Sequence, residues 1–203
     1  MKQQMRPTNK RYFIVHKPYG VLTQFTDKQN RPTLASLYNF PKDACPSGRR
    51  VYPVGRLDLD SEGLLIITND KSLTDFLLNP KNKHEREYNV QVEGIPTEDD
   101  LQKLRDGVVL KDGKTLHTKV KLIADPNFPP RVPPIRERKN IPTCWISLTL
   151  VEGKNRQVRR MTAAIGYPTL RLVRVRIKNL LLGNLELGEV RELSNKQVEQ
   201  LLK

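Results

Sequence analysis

The feature that most constrains the fold is the segment 55–70, where an acidic stretch runs directly into an apolar one. Asp58, Asp60 and Glu62 alternate along a polar turn, and the run from Leu64 to Ile67 is typical of a buried strand. A polar turn that leads into a core strand holds its carboxylates on a rigid support, as enzymes usually mount a catalytic acid. The segment therefore predicts a core strand preceded by a candidate catalytic loop.

Three interpretations of this loop compete. In the simplest, its acids are only turn formers and Gly63 takes a positive φ. A calcium loop of the EF-hand type needs a bidentate Glu at its twelfth position, where Asn69 stands, and no helix pattern flanks the loop. Calcium is therefore excluded. In the third interpretation one carboxylate is a nucleophile and Arg56 helps to position RNA.

The charge of the chain indicates a polyanionic partner. The 203 residues include 36 Lys and Arg against 22 Asp and Glu, which leaves a net charge of +14. Such an excess attracts polyanions. No run approaches the ~20 apolar residues of a membrane span and no basic amphipathic helix is present, so nucleic acid is favoured over a membrane. A basic protein that is merely soluble remains the alternative on charge alone.

Cellular compartment and metal content follow from the N-terminus and the cysteines. The first residues have no apolar core of the kind found in secretory signals. Cys45 and Cys144 belong to no Cys-x-x-Cys or Cys/His cluster. We therefore predict a cytoplasmic protein without a metal site.

Hydrophobic patterning predicts an α+β fold. Roughly eight strands and about four short helices occur without regular βαβ alternation, which favours a largely antiparallel sheet. The main predicted strands cover residues 11–15, 64–67, 88–92, 116–123, 144–150 and 170–177, with short ones at 180–182 and 189–193. The predicted helices cover residues 71–78, 97–105, 156–165 and 194–202.

Two basic segments are candidates for RNA contact. Residues 125–142 contain six prolines with basic residues between them, which predicts a stiff, extended loop. A solvated surface loop is the plain alternative, but we favour a substrate-contacting insertion in which Arg136, Arg138 and Lys139 bind phosphate. The strand 170–177 mixes apolar residues with Arg, so one face could meet the core and the other RNA.

Four segments, in order and at matching spacing, resemble the RsuA-type pseudouridine synthases. They are residues 16–22, 55–65, 87–94 and 152–161, and the similarity extends from residue 11 to residue 193. The resemblance implies a mixed, largely antiparallel central sheet in two lobes with a cleft across the middle. It also implies isomerisation of a uridine within RNA: the N1–C1′ bond breaks, the uracil rotates, and C5 bonds to C1′. No cofactor is expected, because nothing is gained or lost overall.

The resemblance also assigns roles to individual residues. Asp58 is expected to be the catalytic group, either attacking C1′ or removing the 2′ proton to give a glycal. Arg159 is expected to be the cation beside it, and Tyr88 to stack on the extruded base. Arg86 departs from the pattern, because many relatives have Lys two residues before the Tyr.

Further cations are expected to hold RNA. Arg56 is a candidate for base flipping or phosphate contact, and the helix that begins at Arg156 would contribute Arg156 and Arg160. We expect residues 1–10 to be a basic, flexible arm and residues 11–203 to be the catalytic domain. The small S4-like RNA-binding domain that often precedes this domain in relatives is expected to be absent.

The predicted function is isomerisation of one or a few uridines in 23S ribosomal RNA, carried out by a monomer. The main alternative is a non-catalytic RNA-binding or ribosome-assembly protein that retains the fold. A glycosidase or nucleoside hydrolase would normally need a second carboxylate across the sugar, and Asp60 is too near Asp58 in sequence to be placed on the opposite face of the sugar.

Overall fold

A mixed sheet of nine strands forms the centre of the computed structural model, which describes residues 10–37 and 51–202. The strands are β1 (Tyr12–Lys17), β2 (Tyr52–Pro53), β3 (Glu62–Thr68), β4 (Arg86–Glu93), β5 (Val109–Leu110), β6 (Gly113–Lys114), β7 (Lys119–Ile123), β8 (Thr143–Leu150), β9 (Thr169–Ile177), β10 (Leu180–Leu181) and β11 (Val190–Glu192). The helices are α1 (Leu34–Leu37), α2 (Lys71–Leu78), α3 (Glu98–Asp106), α4 (Gln157–Ala164) and α5 (Asn195–Leu202), with a 3-10 turn at Pro80–Asn82.

The strand order is β11-β1-β3-β9-β4-β8-β7, with β2 paired to β3 and β10 to β9. Only the β3–β9 pair is parallel among the described strands, so the predicted α+β fold with a largely antiparallel sheet is confirmed. Strands β5 and β6 form a separate small hairpin that hydrophobic patterning did not predict.

Strands β3 and β9 separate almost as soon as they meet, and this divergence creates the cleft. They pair only at Glu62 and Gly63, whereas β2 occupies the same edge of β3 further along, at Ile67 and Thr68. Gly63 has φ +105°, as expected, and a Cβ there would lie 2.3 Å from the Arg174 carbonyl oxygen. Only glycine allows so close an approach of the two backbones.

Each lobe has its own hydrophobic core. The position of β3 inside the first core explains why the sequence of this strand is continuously apolar. Leu64 and Ile66 pack toward α2 and α5, whereas Leu65 and Ile67 pack on the opposite side near Leu34. Both faces of the strand are therefore covered. In the second lobe, β4 and β8 pack against α3 and α4.

Helix boundaries follow local capping chemistry. Thr97 and Asp100 form a capping box at the start of α3, which confirms Thr97 as the N-cap. Asp70 caps α2 by accepting a hydrogen bond from the Ser72 backbone N–H. The strand predicted over 116–123 begins only at Lys119, because Leu116 N–H donates to the Glu152 carboxylate and Thr118 Oγ1 donates to the Leu104 carbonyl.

The arginines of β9 do not form the exposed, RNA-facing side that the sequence predicted. Arg171 and Arg174 are only 7% and 4% exposed, and Arg176 forms ion pairs with carboxylates of Glu85 and Glu87. The strand lies between β3 and β4, so both of its edges are paired within the sheet. Arg171 and Arg176 are engaged by carboxylates of the protein, whereas Arg174 forms no ion pair among residues 10–37 and 51–202.

Residues 125–142 have no helix or strand, as the proline content predicted. The loop is tied to the domain through Arg131, whose guanidinium lies 4.2 Å from the Tyr19 ring centroid. The same side chain donates to the Pro133 and Pro134 carbonyls. The predicted N-terminal arm lies almost wholly outside the described residues, which begin at residue 10.

Candidate active site

The acidic loop between β2 and β3 is held in place by the segment that follows β1. Thr23 Oγ1 donates to the Leu57 carbonyl and accepts from the Leu57 N–H, and Gly20 N–H donates to the Leu59 carbonyl. Within the loop, Ser61 N–H donates to the Asp58 carbonyl. Asp58 thus sits on a fixed turn immediately before β3, with its side chain 33% exposed.

Lys17 lies beneath this loop, fully buried. Its Nζ donates to the Pro18 carbonyl at 2.8 Å and approaches the Leu59 carbonyl at 3.5 Å. Burial lowers the pKa of Lys17 to about 8, although the carboxylates of Glu62, Asp60 and Asp58 oppose the shift. Sequence reasoning gave Lys17 no role of its own, because an isolated Lys at the end of a strand carries no signal of burial.

A cavity of about 850 Å³ lies where the two lobes diverge. It brings together three predicted site residues, Asp58, Tyr88 and Arg56, and the predicted RNA contact Arg156. A cavity of this size is ordinary for a ligand site. The predicted cleft therefore exists, and the candidate carboxylate and the candidate stacking ring share it.

The cation nearest to Asp58 among the described residues is Arg156, with Nη1 3.5 Å from Asp58 Oδ2. The same guanidinium holds Asp60 through two hydrogen bonds of 2.9 Å. Arg156 is the N-cap of α4 in the left-handed conformation, with φ 46°. This backbone conformation places the N-terminal end of α4 next to the acidic loop.

Arg159 contacts Asp60, two residues after Asp58, and does not contact the Asp58 side chain itself. Its Nη2 donates to the Asp60 carbonyl at 2.7 Å, and its Nε lies 3.3 Å from Asp60 Oδ2. Burial raises the pKa of Asp60, but Arg156 and Arg159 outweigh it and hold that pKa below the usual value. Asp60 is thus the anchor between α4 and the loop, and the ion pair of Arg159 is with Asp60 and not with the candidate catalytic residue.

We expect Arg159→Lys to lower turnover by about 10²-fold with little change in thermal stability. Lysine keeps the charge but cannot contact both the carbonyl and the carboxylate of Asp60 in the same planar geometry, so the loop would shift. Single-turnover kinetics and a melting curve measure the two effects. Arg191→Lys is the matched control, because exposed Arg191 pairs with Glu189 and lines neither cavity. Equal activity of the two variants would contradict this role.

The predicted RNA contacts in the proline-rich loop are partly engaged within the protein. Arg136 and Arg138 lie 3.2 and 3.3 Å from the carboxylate of Glu93, which is largely buried. Both arginines remain about half exposed, and Lys139 is exposed. A smaller cavity of about 310 Å³ links this loop to Asp60 and Arg159 on the other side of the acidic loop.

Tyr88 projects from β4 on the wall of the main cavity. It is the cross-strand partner of Leu148 on β8 and of Arg174 on β9, and it packs against the cores of both lobes. Arg86 precedes it by two residues and lies on the same face, where it donates to the Leu77 carbonyl at 2.9 Å. Arg174 also lines the cavity; the sequence singled it out only as one of several arginines on a strand with a possible RNA-facing side.

No described helix has the length and apolar character required to cross a membrane. A family model described as RNA pseudouridylate synthase matches residues 11–164. A solved structure described as a pseudouridylate synthase superimposes with a TM-score of 0.77 at 28% identity, covering 95% of this chain and 74% of that one.

Curated relatives agree with this match. A ribosomal large subunit pseudouridine synthase E of Vibrio parahaemolyticus is 52% identical over 185 residues, or 91% of this chain and 74% of that protein. One of the same description from Xanthomonas axonopodis is 51% identical over 167 residues, or 81% of this chain and 84% of that protein. A ribosomal large subunit pseudouridine synthase B of Bacillus subtilis is 37% identical over 191 residues, or 94% of this chain and 70% of that protein. The chain therefore belongs to the RNA pseudouridylate synthase family.

Proposed function

We propose that this protein converts a uridine of 23S ribosomal RNA to pseudouridine, with Asp58 as the catalytic carboxylate. The observation that carries the proposal is the placement of Asp58 and Tyr88 in one cavity, in a chain about half identical to proteins described as large-subunit pseudouridine synthases. The placement of Asp58 and Tyr88 supports the isomerisation chemistry, and the sequence similarity supports large-subunit ribosomal RNA as the substrate.

Three features of the cavity support this chemistry. Attack at C1′ and removal of the 2′ proton both require a carboxylate anion, and the guanidinium of Arg156 lies 3.5 Å from one Asp58 oxygen. Tyr88 stands on a rigid strand, where its ring can stack on a base that has left the RNA helix. Exposed Arg56, on the rim of the same cavity, can contact a flanking phosphate.

The same geometry weighs against hydrolysis of the glycosidic bond. The carboxylate nearest to Asp58 in the loop is Asp60, which Arg156 and Arg159 already hold. A glycosidase of the usual kind needs its second carboxylate on the opposite side of the sugar. Release of free uracil from RNA is therefore not expected.

RNA affinity should depend steeply on salt, because phosphate neutralisation by a surface of net charge +14 would supply it. We expect replacement of Arg136, Arg138 and Lys139 by Gln to flatten the log–log slope of affinity against salt by about 1 to 2, at roughly 0.7 per lost phosphate contact. Filter binding between low and moderate salt measures the slope.

The matched control replaces three exposed lysines that do not line the cavity, Lys103, Lys121 and Lys196. It removes the same formal charge from other parts of the surface. A slope that changes equally in both triple variants would show that the proline-rich loop makes no specific contact with RNA.

The substrate is tested by incubating the protein with protein-free 23S RNA, 16S RNA and transfer RNA, followed by mapping of carbodiimide-dependent reverse-transcription stops. We expect a new stop at one or very few uridines of 23S RNA. These should lie in a loop, bulge or weakened helix, since extrusion from a stable duplex costs a few kcal/mol. A stop confined to 16S or transfer RNA would overturn the substrate assignment and leave the reaction class intact.

We further propose that the enzyme acts as a monomer in the cytoplasm, on large-subunit RNA before the ribosome is complete. The proposal rests on the RNA substrate and on a cavity that brings Asp58, Tyr88 and Arg56 together within one chain, so that no second copy is needed to complete the site. Sedimentation of the purified protein, alone and with RNA, measures the oligomeric state. A stable dimer would contradict it.

A further inference from the structure

One wall of the main cavity carries two arginines, Arg86 and Arg174, close to the candidate stacking ring. Tyr88 and Arg174 are direct cross-strand partners on β4 and β9, so their side chains stand next to each other on one face of the sheet. Arg86, two residues before Tyr88, shares that face. All three residues line the cavity that also contains Asp58.

Arg174 is the unusual member of this group because its guanidinium is buried without an anion. The residue is 4% exposed, and its Nε donates to the Leu64 carbonyl at 2.8 Å. Its Nη2 is buried and has no hydrogen-bond acceptor among residues 10–37 and 51–202. Leaving a buried charged donor unsatisfied costs free energy, so its persistence indicates a function.

The neighbouring arginines on β9 show that this state is particular to Arg174. Arg171 forms a bidentate ion pair with Glu62, and Arg176 is paired with Glu85 and Glu87. Arg174 forms no ion pair within the described ranges, not even with Asp58 in the same cavity.

Arg86 adds a second uncompensated cation. Its guanidinium donates a hydrogen bond to a neutral group, the Leu77 carbonyl, and it too forms no ion pair within the described part of the chain. Burial lowers the pKa of Arg86; Tyr88 raises it, and Arg174 lowers it further, so the three groups interact electrostatically. The wall therefore carries the positive charges of Arg86 and Arg174, which an anionic ligand could neutralise.

The reaction itself generates such an anion. When the N1–C1′ bond breaks, its electron pair goes to the uracil and spreads over N1, O2 and O4. C1′ meanwhile bonds to an Asp58 oxygen, or Asp58 takes the 2′ proton and a glycal forms. After rotation, C5 bonds to C1′ as the bond from C1′ to Asp58 breaks or, in the glycal route, as Asp58 returns its proton to C2′. The C5 proton then leaves and N1 gains a proton, so nothing is gained or lost overall.

We propose that the unpaired guanidinium charge of Arg174 stabilises the departing uracil anion, with Arg86 contributing charge and Tyr88 holding the ring plane. This role rests on the proposed function. A preorganised donor in a site that excludes water is most effective where charge develops in the transition state. The energetic cost of an unpaired buried cation in the free enzyme is thereby recovered during bond cleavage.

The test varies the leaving group. A fluorine at C5 withdraws electrons and stabilises the uracil anion, so cleavage should depend less on Arg174 with 5-fluorouridine than with uridine. The same RNA is prepared with either nucleoside at the target position, and its disappearance is followed by nucleoside analysis under single-turnover conditions. We expect Arg174→Met to slow uridine consumption by about 10²- to 10³-fold. The loss with 5-fluorouridine should be at least about tenfold smaller, because the better leaving group needs less stabilisation.

The ratio of the two losses decides the outcome. It is unaffected by partial misfolding, because both substrates are measured on one preparation. Arg176→Met is the matched control. Arg176 pairs with Glu87 and Arg174 with Tyr88, so the two arginines lie on opposite faces of β9. The losses of rate with uridine and with 5-fluorouridine should be equal in this control. If Arg174→Met does not fold, Arg174→Lys must show the same unequal losses at smaller amplitude.

Equal losses with both nucleosides would overturn the role of Arg174. A wild-type protein that leaves uridine unchanged in its 23S RNA would instead contradict the proposed function. The two failures are therefore distinguished within one experiment.

Discussion

Asp58→Asn is expected to lower pseudouridine formation by at least about 10³-fold, while the fold and the RNA affinity remain close to wild type. The amide keeps the size of the side chain and can still accept a hydrogen bond, but it is neither a nucleophile toward C1′ nor a base for the 2′ proton. The Asp58 side chain is partly exposed and its backbone carbonyl makes the turn contact to Ser61, so the substitution leaves the loop intact. Release of tritium from 5-tritiated uridine in RNA measures turnover.

Asp75→Asn is the control for a change of charge alone, because Asp75 is exposed on α2 and does not line the cavity. It should retain full activity. The melting temperature and filter binding of both variants separate loss of chemistry from loss of structure. An Asp58→Asn protein with near wild-type turnover would remove Asp58 from the mechanism and direct attention to Asp60.

Much of the fold was predictable because its local signals agree with its tertiary environment. The apolar run in β3 is covered on both faces, and the Thr97–Asp100 capping box and Gly166 bound their helices close to the predicted positions. The β5–β6 hairpin was missed because each strand has only two residues, too few for any periodicity.

The site was predicted less completely, because side-chain contacts between distant segments leave no periodic trace. Sequence similarity linked Arg159 to Asp58, but Asp60 lies between them and takes the contact. Alternation in β9 suggested an outward arginine face, yet the partners that bury Arg171 and Arg176 come from β3 and from the segment at Glu85 and Glu87. Sequence cannot show which arginine finds a carboxylate and which remains unpaired.

The junction between the lobes is expected to be the position most sensitive to loss of a buried charge. Glu62 and Arg171 form a bidentate ion pair at 2.8 Å, with side chains 1% and 8% exposed, next to the short parallel pairing of β3 with β9. Arg171→Met leaves the Glu62 carboxylate buried without its main partner. We expect the free energy of unfolding to fall by about 3 to 5 kcal/mol, measured by urea denaturation.

A second substitution should recover part of this loss. In Arg171→Met/Glu62→Gln no anion is left at the junction, so the double variant should be more stable than the sum of the single losses predicts. We expect a coupling energy of about 1 to 3 kcal/mol. Arg176→Met is the control, because its partners Glu85 and Glu87 are partly exposed and solvent screens the pair; its cost should be about 1 kcal/mol or less. Strictly additive losses would mean that the junction is stabilised by the packing of Arg171 on Phe128, at 5.6 Å, and not by the ion pair.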